Sequence, residues 1–264
     1  MNMKLLAMVV VIVLTCVSCG SGGNSAPLEV SAEPADLFTY HFDGEYGGIV
    51  LTNYSGIKTS VKVPDKIDDV PVVGILHNCF AVGQVTDVYF PDTVKYFKWG
   101  TKKATGAEKM ETIVIPKGVT EIAENTFNYD FNSLTNINIP NSVTAIGIGA
   151  FYGCTSLTSI IIPDNCTAIG SGAFAFCNSL TNITIPNSVT TIGIRAFSFC
   201  SSLTSINIPD NVTEIGEDVF YGCNLLSNVI YRGTTYKLVE TGHSMDSIPI
   251  LDLPQEFYDA VNGK

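Results

Sequence analysis

Between residues 134 and 225 the apolar positions follow one pattern written four times at a spacing of 23, with copies beginning at Leu134, Leu157, Leu180 and Leu203. A fifth copy, one residue longer, begins at Met110. Self-similarity at such a period is the signature of a stacked repeat array. Within a copy, Ile160 and Ile162 lie two apart and share the inward face of an extended segment, which turns Ser159 and Ile161 outward. Pro163 ends that strand, because it has no N–H to donate and restricts the residue before it. A second short strand, Val189 to Ile192 in the next copy, alternates in the same way. Gly193 is expected to permit a turn there, and Ala196 to Cys200 to form a tight helical turn that drops Phe197 inward. One copy buries too few side chains to offset the entropy of ordering its own backbone, so the copies must stack. Five to seven coils at about 4.8 Å each would make a parallel stack roughly 25–35 Å long.

The succession I-x-I-P, V-T-x-I-G and A-F-x-x-C resembles the BspA-like leucine-rich repeat family of bacterial cell-surface proteins, over about residues 46 to 236. The resemblance implies a repeat solenoid, a right-handed leucine-rich-repeat-type coil with short parallel β-strands and short helical turns, capped at both ends. It also implies adhesion to host or neighbouring-cell components.

The flanks divide the remainder. Residues 1–18 have the form of a signal peptide, with Lys4 followed by an apolar run from Leu5 to Leu14, too short for a comfortable membrane span. Cys16-Val-Ser-Cys19 resembles a bacterial lipobox with Cys19 as the lipid attachment residue, although Cys16 stands where such motifs usually have Leu. An ordinary cleaved signal peptide or an uncleaved apolar anchor is the alternative. Residues 19–36, rich in Gly, Ser, Ala and Pro, read as the attachment and a flexible tether. The expected product is an exported, membrane-anchored lipoprotein of the outer membrane or cell surface. Residues 37–58 read as an N-terminal cap hairpin, and residues 59–225 as the solenoid, with about seven repeats of which the first two are degenerate. The second of these loses the pattern after Val94, and residues 226–264 abandon the period to form a C-terminal cap.

With 46% hydrophobic and 15% charged residues the chain is one that folds, and its net charge of −11 argues against nucleic acid or anionic lipid headgroups as the main partner. Residues 95–109 run against that balance. They hold five of the fourteen Lys and Arg and the only Trp, so Trp99, Lys102 and Lys103 form an alternative binding loop. The bland reading is a decayed repeat with Trp99 plugging the core.

Chemistry-bearing residues reduce to little. Cys154, Cys177, Cys200 and Cys223 recur at 23, but there is no C-x-x-C pair, and each follows a buried Phe by three; they read as packed thiols rather than a metal or disulfide ladder. His41, His77 and His243 lie outside the regular copies, in no nucleophile or metal signature. No catalytic residue, metal or cofactor is assigned, and an enzyme is not expected. What remains is surface. Asn136, Asn138, Ser159, Asn182, Thr184, Ser205 and Asn207, with Ile161 among them, form an uncharged outward face flanked by Thr135, Thr158, Thr181 and Thr204. The leading expectation is a monomeric, non-enzymatic module that binds a protein or glycan ligand through that face; the alternative is a structural or envelope-assembly protein with no dedicated ligand site.

Overall fold

The computed structural model describes residues 31–76, 79–80, 85–98, 107–237, 239–243, 249–252 and 255–262. Each copy of the repeat makes one coil with two short strands, and equivalent strands of successive coils run parallel in two columns. The first column comprises Ser60–Lys62, Asp87–Tyr89, Thr112–Val114, Asn136–Asn138, Ser159–Ile161, Asn182–Thr184, Ser205–Ile208 and Asn228–Tyr231. Its register pairs equivalent positions, for example Ile137 with Ile113 and Ile160 with Ile183. In the second column Glu121–Ile122, Ala145–Ile146, Ala168–Ile169, Thr191–Ile192 and Glu214–Ile215 form one continuous sheet. Seven turns of a β-solenoid result, with little helix.

The inward residues build a core of stacked ladders. Phe151, Phe174, Phe197 and Phe220 are fully buried, one above the other, with successive centroids 5.2, 5.5 and 5.7 Å apart and planes within 8° of parallel. The Ile rows of both columns and the leucines that open each copy complete the interior.

Several local expectations change. Gly193 has no positive φ; an added Cβ there would lie 2.7 Å from the Gly170 carbonyl carbon, so the glycine is required by close approach of adjacent coils. The turns after it carry i→i+3 bonds, such as Tyr152 N–H to Gly149 O and Cys154 N–H to Phe151 O. Left-handed residues at Gly149 and Gly153 interrupt them before a regular helix can form. The second coil does not lose its pattern after Val94. Tyr96–Lys98 is its second strand, parallel to Val70–Leu76, and Phe97 is buried. Nor does the period stop at 225, because Asn228–Tyr231 pairs in register with Ser205–Ile208 as one more first-column strand.

At the N-terminal end Phe38–Asp43 and Gly48–Tyr54 form the anticipated antiparallel hairpin, and its second strand pairs parallel with Val70–Leu76. Glu33, placed by sequence in the tether, is buried. Its N–H donates to Lys62 O, and its carboxylate accepts from Lys58 Nζ at 2.7 Å and from the Tyr54 hydroxyl at 3.2 Å. At the other end, Asn228–Tyr231 turns back through Arg232 and Gly233, both at positive φ, into Thr234–Tyr236. The hairpin Val239–His243 with Pro249–Asp252 and the helix Gln255–Asn262 follow. From that helix Phe257 packs against Tyr231 and Tyr236, and the Tyr258 hydroxyl accepts the Val219 N–H of the last regular coil. Among the described residues no helix is long and apolar enough to cross a membrane.

Candidate interaction surface

The first-column strands bury their central residue and expose its neighbours. The chain therefore brings Asn136, Asn138, Ser159, Asn182, Thr184, Ser205 and Asn207 together on one exposed face, with Ile161 78% exposed among them. Exposed Tyr89, Val114 and Ile230 lie in the same row as Ile161 and extend it towards both ends. Two of the flanking threonines, Thr135 and Thr181, have their hydroxyls occupied. Thr135 Oγ1 donates to Glu111 O at 3.1 Å, Thr181 Oγ1 to Thr158 O at 3.2 Å, and Ser227 Oγ to Thr204 O at 3.2 Å. Those hydroxyls tie coil to coil, while the asparagines and serines beside them face solvent. Cys19, Trp99, Lys102 and Lys103 lie outside the described residues.

The cysteine column is fully buried, and its thiols are free. Each donates its S–H to a backbone carbonyl of the preceding coil: Cys154 to Phe127 O at 2.9 Å, Cys177 to Phe151 O, Cys200 to Phe174 O and Cys223 to Phe197 O. Burial pushes Cys154 and Cys200 well above the usual thiol range and Cys177 up to about 12. A buried neutral thiol is a poor nucleophile and a poor metal ligand. Among the described residues no cluster of His, Cys, Asp and Glu could hold a metal. His41 is exposed on the N-terminal hairpin, while His77 and the His243 side chain lie outside the description.

A second surface, which the sequence reading passed over, lies along the turns. Tyr129, Tyr152, Phe176, Phe199 and Tyr221 form an outer aromatic row, with successive centroids 4.5, 5.2, 4.6 and 5.4 Å apart. Beside it run Ile148 and Ile194, 53% and 52% exposed, and with Tyr152, Phe176, Phe199 and Tyr221 they line an open groove of about 620 Å³. The row hides in sequence because its aromatic alternates between two offsets. In Tyr152-Gly153 and Tyr221-Gly222 the ring comes first, whereas in Ala175-Phe176 and Ser198-Phe199 it comes second, in the left-handed region. The glycines make room for the neighbouring ring: an added Cβ on Gly153 would lie 2.7 Å from Tyr129, and one on Gly222 2.6 Å from Phe199. One aromatic per pair in every copy was the available signal. Burial, and then the Tyr129 hydroxyl, push Tyr152 up to about 12, so its phenol is neutral at physiological pH.

A family model described as BspA type leucine rich repeat region matches residues 59–133 and 121–241, in six copies. Among solved structures, a T. pallidum leucine-rich repeat protein is 30% identical with a TM-score of 0.67; the match covers 74% of this chain and 91% of that one. A leucine-rich repeat protein from Bacteroides ovatus is 32% identical with a TM-score of 0.63, covering 75% of this chain and 52% of its own. A leucine rich cell surface protein from Faecalibacterium prausnitzii is 27% identical with a TM-score of 0.64, covering 84% and 61%. The chain thus spans less than two thirds of these last two. No curated protein matches it. The seven-turn stack, its in-register Ile and Phe ladders and these matches lead to one conclusion: the chain belongs to the BspA-type leucine-rich repeat family.

Proposed function

We propose that this protein is a non-enzymatic, lipid-anchored interaction module of the cell surface that adheres to a host or neighbouring-cell protein or glycan. Its relatives are leucine-rich repeat proteins, a non-catalytic repeat family suited to protein interaction. In this reading the N-terminal hairpin and the C-terminal helix cap the end coils, and Cys19 carries the lipid. The observation that supports it most is the first-column face. Seven exposed polar side chains without charge recur there in parallel register, which offers a ligand several equivalent contacts at high effective concentration. Recognition there depends only weakly on salt, in contrast to binding through the Lys-rich residues 95–109.

The test joins anchor and face. Replacing Cys19 by Ala should release the protein from the membrane fraction, and protease added to intact cells should digest the wild type. Replacing Asn182, Thr184, Ser205 and Asn207 together by Lys should abolish cell adhesion while leaving the fold intact. If that variant adheres normally while loss of Trp99 and Lys102 abolishes adhesion, the face is scaffold and the loop is the site. A wild type that resists protease on intact cells favours the envelope-structural alternative.

A further inference from the structure

We propose that the groove along the turns binds an extended peptide with an apolar centre and a basic residue at each end, a site separate from the first-column face. Ile148, Ser171 and Ile194 line the groove at equivalent positions of three successive coils, and the same position holds exposed Glu124 in the coil before them and exposed Glu217 in the coil after: acid, apolar, polar, apolar, acid. The two isoleucines are half exposed beside the wall of Phe176 and Phe199, an apolar strip that a folded monomer gains nothing by presenting to water. Its ends are acidic, and nothing nearby neutralises them. Arg195 is committed to Asp218, with Nε and one terminal nitrogen 3.0 and 2.8 Å from the same carboxylate oxygen. Glu124 and Glu217 have no cationic partner among the described residues. From residue 110 to 227 the only cations are Lys117 and Arg195, set against Glu111, Glu121, Glu124, Asp130, Asp164, Asp210, Glu214, Glu217 and Asp218. Charge complementarity therefore calls for a cationic occupant.

Dimensions choose its conformation. Glu124 and Glu217 are four coils apart, about 19 Å at the strand spacing, and an extended chain at about 3.3 Å per residue covers that in about six steps. A volume of about 620 Å³ spread along such a length suits a single strand better than a helix about 10–12 Å wide. A peptide backbone also needs polar partners. Ser198 lines the groove, is 2% exposed and has no protein partner for its hydroxyl among the described residues, and the Ser171 hydroxyl is likewise uncommitted. A sugar fits poorly. Phe176 and Phe199 stack on each other with planes 18° apart, so they turn edges outward, whereas a sugar ring would pack on an open face.

The probe is a labelled seven-residue peptide with lysine at both ends and leucine alternating with serine between them, titrated into the purified chain and read by fluorescence anisotropy. Saturable binding is expected. Replacing Ile148 and Ile194 together by Asp should weaken it at least tenfold. Glu124→Lys with Glu217→Lys should weaken it similarly and transfer preference to a probe with glutamate at both ends. Both pairs are exposed, so the circular dichroism spectra of the variants should match that of the wild type. The quadruple Lys variant of the first-column face should bind the probe as the wild type does, so failure of the adhesion reading and failure of this one are separable. The proposal is overturned by absent or unsaturable binding, by equal binding of the Ile148→Asp, Ile194→Asp variant, or by a probe with its lysines only three residues apart binding as well. Self-association of the chain that this variant abolishes would assign the groove to a second copy instead.

Discussion

The coils from residue 134 onward and those before residue 110 are made from the same kinds of side chain, yet they pack differently. In the later coils equivalent residues are 23 apart, as in the bond from Thr167 Oγ1 to Thr144 O. Before residue 110 the step is 27 from Thr86 to Thr59, and across that boundary it is 25 from Lys117 to Asp92. Ring packing differs as well. Phe174 stacks on Phe151 and on Phe197 at 5° and 3°, all three at one position of successive coils, whereas Phe80, Phe90 and Phe97 sit at different positions of their coils and meet at 63° and 77°. A constant repeat length returns an equivalent ring to the same place above its neighbour; rings at non-equivalent positions make each contact a separate solution. The regular region should therefore be the more stable and the less tolerant of change.

The largest contrast is expected from removing one ring in each region. Phe174→Ala leaves a cavity between two stacked rings and should cost about 3–5 kcal/mol, while Phe90→Ala, at a half-buried and irregular contact, should cost about 1–2 kcal/mol. Urea denaturation followed by circular dichroism measures both. Equal losses would mean that stack regularity adds nothing.

Glycines offer the next test. A Cβ on Gly170 would lie 2.6 Å from the Gly147 carbonyl carbon, an atom held by the ladder, so Gly170→Ala should cost about 3 kcal/mol through forced separation of coils. On the N-terminal hairpin nothing lies within 4 Å of the equivalent point on Gly44, and Gly44→Ala should change stability by less than about 0.5 kcal/mol. Denaturation midpoints of the two variants decide it.

Much of this was legible beforehand, and the limits are specific. Ile160, Phe197 and Cys200 recur at a fixed spacing of 23, so period and alternation identified the columns, the inward faces and the outward Asn and Ser positions. Tyr96–Lys98 was missed because Val94-Lys-Tyr-Phe-Lys98 stands where the other copies have V-T-x-I-G and is followed by no A-F-x-x-C; only its partner, Val70–Leu76, defines it. Leu226 to Tyr231 keeps the spacing of Leu203 to Ile208 but lacks the proline that marked every other first strand. The outer aromatic row was illegible for a different reason. Position was read one residue at a time, whereas the conserved quantity in space is one ring per pair of residues, with the backbone of Phe176 and Phe199 driven to φ of 61° and 57° to supply it.

Buried thiols give a pH-dependent contrast. Burial raises Cys154, Cys177 and Cys200 above the ordinary thiol range, Cys177 to about 12, so the folded chain keeps protons that the unfolded chain releases. Their contribution is complete below the unfolded value and is lost as pH rises towards the folded ones. Stability should fall from about pH 9 upward, and Cys177→Ala should flatten that fall by up to about 1.4 kcal/mol per pH unit, one proton's worth. Anaerobic urea titrations at several pH values read the slope. In the same state iodoacetamide should leave these thiols unmodified until denaturant is added.

The smallest effect is expected where the regular region itself departs from glycine. Gly149 and Gly172 occupy a left-handed position that Arg195 and Asp218 fill in the next two coils, each at φ 56°. A side chain there costs about 1–2 kcal/mol, and the bridge between Arg195 and Asp218 recovers only part of it, because both partners are substantially exposed and such pairs contribute about 0–1 kcal/mol. Arg195→Gly removes strain and bridge together and should leave stability within about 0.5 kcal/mol of the wild type. Arg195→Ala keeps the strain and loses the bridge, so it should be the less stable of the two by about 0.5–1 kcal/mol. The reverse order in a denaturation experiment would mean that the pair, rather than the backbone conformation, holds the last two turns together.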